Sequence, residues 1–152
     1  TSQSQYAGQP GMGIAKTIEQ MAQQGKIRFV FVTMNFLDRS STPAGSTFAG
    51  EAGFCANEQG KFWEMHDAIF ANQVPPAQEG TQFTKAQLET FAKGVSGLDT
   101  TKFNSCLESD KYLSAVQQSA AQASTAVSGT PTFYVNGRQV QDWTSILSTI
   151  GN

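Results

Sequence analysis

The sequence has few of the residues that metal and cofactor sites require. It contains two cysteines, Cys55 and Cys106, which are far apart, and a single histidine, His66. Zinc sites in proteins need three or four clustered Cys, His or carboxylate ligands, and these three residues form no cluster of that spacing. The sequence therefore excludes a zinc site, and we expect neither a metal nor another cofactor.

Charge and long apolar runs are also scarce. Charged residues make up 14% of the chain and the formal net charge is −2, with a pI near 5.3. This balance provides no basic field for nucleic acid and no polybasic patch for a membrane surface. No apolar run approaches the roughly 18 residues of a membrane span. Thr1 does not begin a signal peptide, so we expect a mature or trimmed product.

The C-terminal part of the chain predicts a hairpin and a helix. At 152 residues the chain fits one domain with a real hydrophobic core. Residues 132–135 are a β-rich run, Asn136-Gly137 is the strongest short signal for a hairpin turn, and residues 138–140 return antiparallel. A terminal helix that Gly151 ends is predicted by one apolar stripe of Trp143, Ile146, Leu147 and Ile150.

The N-terminal part predicts a helix followed by a strand. Pro10 suits the first turn of a helix, and apolar residues recur at helical spacing up to Gly25. Residues 26–34 are nearly continuously apolar, which predicts a strand buried on both faces. A polar connection around Pro43 leads into the middle of the chain.

The middle of the chain is predicted to be helical throughout. Cys55 and Cys106 each lie on the apolar stripe of a predicted helix, and a long helix is predicted from Asp110 to the Gly129 loop. Thr84 begins another helix, because Gln87 completes a capping box. The predicted order is helix, strand, a block of helices, helix, hairpin and helix.

This order and several motifs resemble the bacterial DsbA-like thiol–disulfide oxidoreductases, which have a thioredoxin fold with a helical insertion. Residues 55–67, CANEQGKFWEMHD, are similar to the segment that joins two insertion helices in that family. Residues 99–112 resemble the later insertion helices, and residues 127–137 resemble the cis-proline loop and its hairpin. The resemblance covers nearly everything from residue 10 to residue 150.

The resemblance implies an α/β fold of thioredoxin type. It implies a single DsbA-like domain over residues 1–152, with a thioredoxin-like core at about 10–40 and 112–151 and a helical insertion at about 44–111. It also implies a cis bond between Thr130 and Pro131, with both residues in a substrate-binding groove. Only about 5–6% of X-Pro bonds in folded proteins are cis, so without the resemblance a trans proline at an edge strand would be expected.

The chain departs from this family at its front. The family's Cys-x-x-Cys begins a helix whose positive end stabilises a thiolate. Its place falls near Ser4, Gln5, Tyr6 and Ala7, or at residues 8–11 if counted from the helix start, and neither stretch contains cysteine. Ser4 is no substitute, because a hydroxyl forms no mixed disulfide. The first central strand is also missing from the sequence.

Three explanations of the missing strand stay open. An upstream segment was removed or is not part of this sequence, another chain donates a strand, or the sheet rearranges. The first is favoured, since a sheet with unpaired inner edges would bury backbone groups without hydrogen bonds. An extended polypeptide, as substrate or ligand, is the expected partner.

The resemblance also implies a structural disulfide between Cys55 and Cys106. The alternative is two buried free thiols, which behave as small hydrophobic groups. A disulfide would place the protein in an oxidising, extracytoplasmic location, whether periplasmic, cell-surface or secreted. His66 is expected to be a hydrogen-bonded core residue, and Glu58, Glu64 and Asp67 are expected to be a solvated carboxylate cluster.

Two functions of different class are predicted. The first is a DsbA-like oxidoreductase domain for protein or peptide thiols, inactive in this sequence because the catalytic cysteines are absent. The second is a redox-inactive peptide-binding or chaperone-like module, which uses the cis-proline groove to hold an extended chain by strand-type hydrogen bonds.

Overall fold

The computed structural model of the chain describes residues 10–40, 44–73, 83–142 and 145–151, and helices dominate them. None of the helices described is both long enough and apolar enough to cross a membrane. In chain order the elements are α1 (Pro10–Gln23), a 3-10 helix (Phe36–Ser40), α2 (Gly45–Asn57), α3 (Phe62–Ala71), α4 (Lys85–Ala92), α5 (Thr100–Glu108), α6 (Leu113–Ala123), β1 (Phe133–Val135), β2 (Arg138–Val140) and α7 (Ile146–Ile150).

The chain divides into two compact units. The hairpin unit consists of Thr1–Phe31 and Ala126–Asn152, and the helical unit consists of Val32–Thr125. The first contains α1, both strands and α7, and the second contains α2 to α6. The domain limits predicted from the sequence stay a prediction.

The helical unit encloses a hydrophobic core between α2, α3, α4 and α5. Each helix contributes the apolar stripe that the sequence predicts, because residues three and four positions apart share one face. The largest side chains that this packing removes from solvent altogether are Met65, Leu88, Phe103 and Leu107.

Side chains cap three helix starts in this unit. Asp99 caps α5 by accepting from the N–H groups of Thr101 and Lys102, both at 3.1 Å, and the starts of α4 and α2 use two further arrangements. The predicted capping box at Thr84 is confirmed: the Gln87 N–H donates to Thr84 Oγ1 over 3.3 Å, and the Thr84 N–H donates to Gln87 Oε1 over 2.9 Å. At α2 the cap comes from outside the helix, since the Asp38 carboxylate accepts from the N–H groups of Ser46 at 2.9 Å and Thr47 at 2.8 Å. Both arrangements satisfy amide groups that a helix start leaves without partners.

Gly50 lets two neighbours approach α2 closely. A Cβ atom at this position would lie 2.7 Å from Thr33 Cγ2 and 3.1 Å from Val116 Cγ1. Real Cβ atoms essentially never come as near as the first of these distances, so a side chain here would push Thr33 away. Glycine is therefore required by space rather than by backbone conformation.

The hairpin unit contains the sheet that the sequence predicts at its C-terminal end. β1 and β2 pair antiparallel, with Phe133 opposite Val140 and Val135 opposite Arg138. Asn136 and Gly137 both have positive φ angles, 49° and 78°, as a two-residue hairpin turn requires. α7 lies against β1 and α1. The predicted terminal helix is therefore present from Ile146, while Trp143 and Thr144 lie outside the described residues.

The strand predicted over residues 26–34 is wrong. Residues 28–35 form no regular secondary structure, and Val30 and Val32 are 58% and 50% exposed rather than buried on both faces. A strand is held by backbone hydrogen bonds to a neighbouring strand. In the part of the chain that the structure describes, β1 and β2 pair only with each other, so this apolar run has no neighbouring strand to pair with.

The last helix of the helical unit is shorter than its apolar pattern predicts. Asp110 has a φ of 51° and lies outside the helix, which begins at Leu113 and ends at Ala123. A positive φ interrupts helical geometry, and apolar periodicity alone contains no information about it. α6 packs against α2, and the backbone of Tyr112 and Leu113 at its start lies near Glu51 in the middle of that helix.

Candidate functional site

The loop that the sequence singles out, Thr130-Pro131, connects the end of the helical unit to β1 through residues 126–132 of the hairpin unit. The peptide bond between Thr130 and Pro131 is cis, as the family resemblance implies, and both residues are exposed. A side chain at the neighbouring Gly129 would meet nothing within 4 Å. The backbone of the loop is therefore accessible to a ligand.

Two hydrogen bonds hold this loop in place. The Thr132 hydroxyl donates to the Gly129 carbonyl over 2.6 Å, which closes the turn around the proline. The Tyr134 hydroxyl donates to the Ala126 carbonyl over 3.0 Å, which ties β1 to the beginning of the loop. Side-chain hydrogen bonds from Thr132 and Tyr134 therefore fix the conformation of the loop, although the loop is exposed.

The positions predicted for the catalytic cysteines fall mainly outside the described residues. Ser4, Gln5, Tyr6 and Ala7, together with residues 8 and 9 of the alternative placement, are not among them. Pro10 and Gly11 of that placement are the first residues of α1. The placement of the family's cysteine positions in this sequence therefore stays a prediction.

Cys55 and Cys106 form the disulfide that the resemblance implies. The bond joins α2 to α5 across 51 positions, with the two Cα atoms 5.8 Å apart. Cys55 is 1% and Cys106 is 6% exposed, and the chain has no other cysteine. The two cysteines of this sequence are therefore both bonded, and their disulfide is enclosed in the core of the helical unit.

The three carboxylates predicted as one surface cluster have separate partners. Glu58 forms an ion pair with Lys111 and accepts a hydrogen bond from the Tyr112 hydroxyl at 2.5 Å. The hydrogen bond from Lys111 has the largest effect and that from Tyr112 the next, and together they hold the pKa of Glu58 below its ordinary value. Glu64 pairs with Lys61 at 3.0 Å. The predicted cluster is thus divided, since Glu58 and Glu64 have different lysine partners.

His66 lies in a row of aromatic side chains on α3. Its ring centroid is 4.5 Å from that of Phe70 and 5.4 Å from that of Trp63. Its Nδ1 is 3.1 Å from Asp67 Oδ1. His66 is therefore packed against Trp63 and Phe70 and within hydrogen-bond distance of Asp67. It is only partly buried, however, and does not belong to the core in which the sequence places it.

Sequence reasoning missed a buried glutamate. Glu51 is in the middle of α2 and is 0% exposed. The signal was available, since Glu51 is three positions after Phe48 and four before Cys55 and therefore shares their inward face. A carboxyl group on that face is enclosed by the same packing that buries its apolar neighbours.

A family model described as "Thioredoxin" matches residues 12–150 of the chain. Among solved structures, the reduced disulfide bond oxidoreductase DsbG of Mycobacterium tuberculosis is 25% identical, with a TM-score of 0.74 over 91% of this chain and 67% of its own. Oxidised DsbA of the same organism has the same identity and TM-score and is covered to 71%. Oxidised BdbD of Bacillus subtilis, at 21% identity and a TM-score of 0.72, covers 93% of this chain and 78% of its own and shares the fold.

Two curated relatives match a shorter segment. The Na(+)/H(+) antiporter NhaA 3 of Salinispora tropica is 38% identical over 92 residues, which are 60% of this chain. NhaA 1 of Salinispora arenicola is 36% identical over a segment of the same length. The chain spans 13% of the length of each of these relatives.

These comparisons confirm the fold class predicted from the sequence. The family model covers both the N-terminal helix and the C-terminal hairpin, and the two structures at 25% identity are disulfide oxidoreductases of DsbA type. The chain therefore belongs to the thioredoxin family, in the DsbA-like form that contains a helical insertion.

Proposed function

We propose that the chain is a domain of a DsbA-like thiol–disulfide oxidoreductase that acts on protein or peptide thiols. The observation that carries this proposal is the overlap of 91% of the chain with DsbG and DsbA at a TM-score of 0.74. The residues of this sequence provide the scaffold and the substrate-binding loop of such an enzyme. They do not provide its exchanging cysteines.

The chemistry of thiol–disulfide exchange explains why Cys55 and Cys106 do not serve as the exchanging cysteines. Exchange begins when a thiolate attacks a disulfide sulfur, and the attacking thiol must be accessible. Cys55 and Cys106 are bonded to each other and almost fully buried, so neither is a free attacking thiol and a substrate thiolate does not reach the bond between them. We therefore expect the chain by itself to be inert as an oxidant.

The Thr130-Pro131 loop is the proposed contact with substrate. Its backbone is exposed, and it leads directly into β1, whose residues are already extended. An extended peptide beside the loop would hydrogen-bond to the backbone of Thr130 and add to the structure in the manner of a strand. The partner is thus an extended polypeptide, recognised mainly through its main chain.

The proposed location is extracytoplasmic. Disulfides persist in oxidising compartments and are rare in reducing ones, and the Cys55–Cys106 bond lies within the core of the helical unit. The similarity of a segment to 13% of two longer proteins is compatible with a thioredoxin-type module within a larger polypeptide.

An oxidation assay tests the enzyme proposal. The chain is mixed with a reduced two-cysteine peptide, and disulfide formation is followed by mass spectrometry. We expect no rate above buffer. A variant extended at its N-terminus by a β-strand and carrying two cysteines at the start of α1, joined beforehand as a disulfide, should oxidise the peptide and be reduced to the dithiol. A peptide thiolate attacks the accessible disulfide, and the helix N-terminus stabilises the thiolate that leaves.

The control variant has the same extension with serine at both cysteine positions. It should be folded and inactive, so that any activity of the first variant comes from its thiols. A folded two-cysteine variant that oxidises the peptide no faster than the serine control would contradict the enzyme proposal.

The second candidate is a redox-inactive peptide-binding module. The specific observation in its favour is that both cysteines of the chain are enclosed in a disulfide while the Thr130-Pro131 loop stays exposed. Titration with an extended peptide that lacks cysteine should then shift the backbone NMR signals of residues 129–135. Unchanged signals in this loop at millimolar peptide would contradict binding there, whatever the oxidation assay gives.

A further inference from the structure

Glu51 is an ionisable residue that is fully buried in the helical unit. It lies in α2 among the side chains that form the core of the helical unit and has no solvent-accessible surface. Moving an ionised carboxylate from water into such surroundings costs several kcal/mol unless partners replace the water. The surroundings of the carboxyl group therefore decide in which protonation state it is buried.

The partners that face Glu51 are weak. The backbone N–H groups of Tyr112 and Leu113, at the start of α6, are directed toward the carboxyl group. Neither carboxyl oxygen, however, forms a hydrogen bond of normal geometry with any described residue. The amides favour the charged form without fully replacing its hydration.

Lys85, a cation close to Glu51, has another partner. Lys85 of α4 is close enough to favour ionisation of Glu51, but its ammonium is 2.7 Å from Asp110 Oδ1 and also lies over the ring of Phe48 at 5.5 Å. Asp110 is itself close enough to repel a charged Glu51. Two carboxyl groups thus share one ammonium, and Asp110, which is half exposed, is the one that holds it.

The balance of these effects disfavours the charged form of Glu51 relative to an exposed glutamate. Burial is the largest effect and raises the pKa of Glu51, and Asp110 raises it further, while Lys85 and the two amides lower it by less. The net direction is upward from the ordinary value of glutamate.

We propose that Glu51 is a proton switch between α2 and the first turn of α6, neutral when the two helices pack as they do in this structure and loosening that contact when it ionises. The device is part of the fold and does not depend on the proposed function. Protonation removes the cost of a buried charge and the repulsion by Asp110, so mildly acidic surroundings tighten the helical unit.

The sign of the stability change follows by linkage. A pKa that is higher in the folded than in the unfolded state gives stability that is fully present below the unfolded pKa and is lost as pH rises through the folded pKa. The stability of the wild type should therefore fall from mildly acidic toward neutral pH. Glu51→Gln, which has no proton to lose, should lack this fall.

The experiment compares urea unfolding of the full chain across this pH range. We expect the urea midpoint of Glu51→Gln to exceed that of the wild type near neutrality and to approach it in acid. Glu64→Gln is the matched control, because Glu64 is a half-exposed helical glutamate whose pKa is lowered by hydrogen bonding to its own backbone and to Lys61. Its pH dependence should not reproduce the change seen with Glu51→Gln.

The amide that Glu51→Gln introduces could pack poorly and lower stability at every pH, so two further measurements are used. Glu51→Met also removes the titrating group, and it should abolish the same part of the pH dependence whatever its absolute stability. In the wild type, the side-chain carboxyl carbon of Glu51 should titrate by NMR above the exposed glutamates. An ordinary midpoint for that carbon, or the same pH slope in wild type and both variants, would overturn the proposal.

Discussion

Replacing Cys55 and Cys106 together by alanine should lower the free energy of unfolding by about 4 kcal/mol. The bond joins residues 51 positions apart. In the chain-entropy model, a cross-link of that span lowers the conformational entropy of the unfolded chain and so destabilises the unfolded state by about 4 kcal/mol. The whole stability of a domain is about 5–15 kcal/mol. The double variant should therefore be close to the limit of folding at physiological temperature.

Urea denaturation of the wild type, of the double variant and of the reduced wild type measures this effect. The reduced wild type is the informative control, since it loses the covalent bond without losing any sulfur atom from the core. It should be destabilised nearly as much as the double variant. A reduced protein as stable as the oxidised one would show that the bond contributes nothing, and a mass matching two thiols before reduction would show that it does not form.

The parts of this fold that could be predicted from sequence are those with a local cause. Asn136-Gly137 specifies its hairpin turn through backbone conformation alone, and the Thr84 capping box involves residues three positions apart. The apolar stripes of the insertion helices likewise predict which face of each helix is buried, because residues three and four positions apart lie on one face. In these cases the sequence neighbours and the spatial neighbours are the same residues.

The parts that could not be predicted depend on distant residues. The apolar run over residues 26–34 has the composition of a buried strand, but a strand exists only beside another strand, which its own residues do not specify. The Asp38 cap of α2 joins residues eight and nine positions apart and has no local signature. Glu51 is buried through contacts with residues near position 112, and a helical pattern shows its direction without showing what lies opposite.

The Thr130-Pro131 loop shows a third situation. The hairpin that follows the loop is predicted by local sequence, but the chemical role of the loop depends on what faces it in the assembled protein. The family resemblance provided that role as a hypothesis, and the oxidation and peptide-binding experiments address it directly.

Phe103→Ala should cost about 3–5 kcal/mol of stability. Phe103 is on α5, is 0% exposed and is the largest fully buried side chain among the residues that the structure describes. Its removal loses the free energy gained by transferring an aromatic ring from water to the protein interior. It also leaves a cavity that the packed helices fill only in part. Phe70→Ala is the control of equal chemistry, since Phe70 is 39% exposed on α3, and it should cost less than about 1 kcal/mol.

The same variant also separates two explanations of the disulfide. Phe103 is one helical turn before Cys106, and both belong to the same core cluster. If the bond acts on the unfolded chain, Phe103→Ala should cost the same with the bond intact or reduced, within about 0.5 kcal/mol, because the two changes act on different states. If the bond instead holds α2 and α5 in their packed positions, the reduced core would relax around the cavity and the cost would be smaller. Urea denaturation of the four species, oxidised and reduced, with and without Phe103, decides between them, and a coupling larger than about 1 kcal/mol would reject the entropic account.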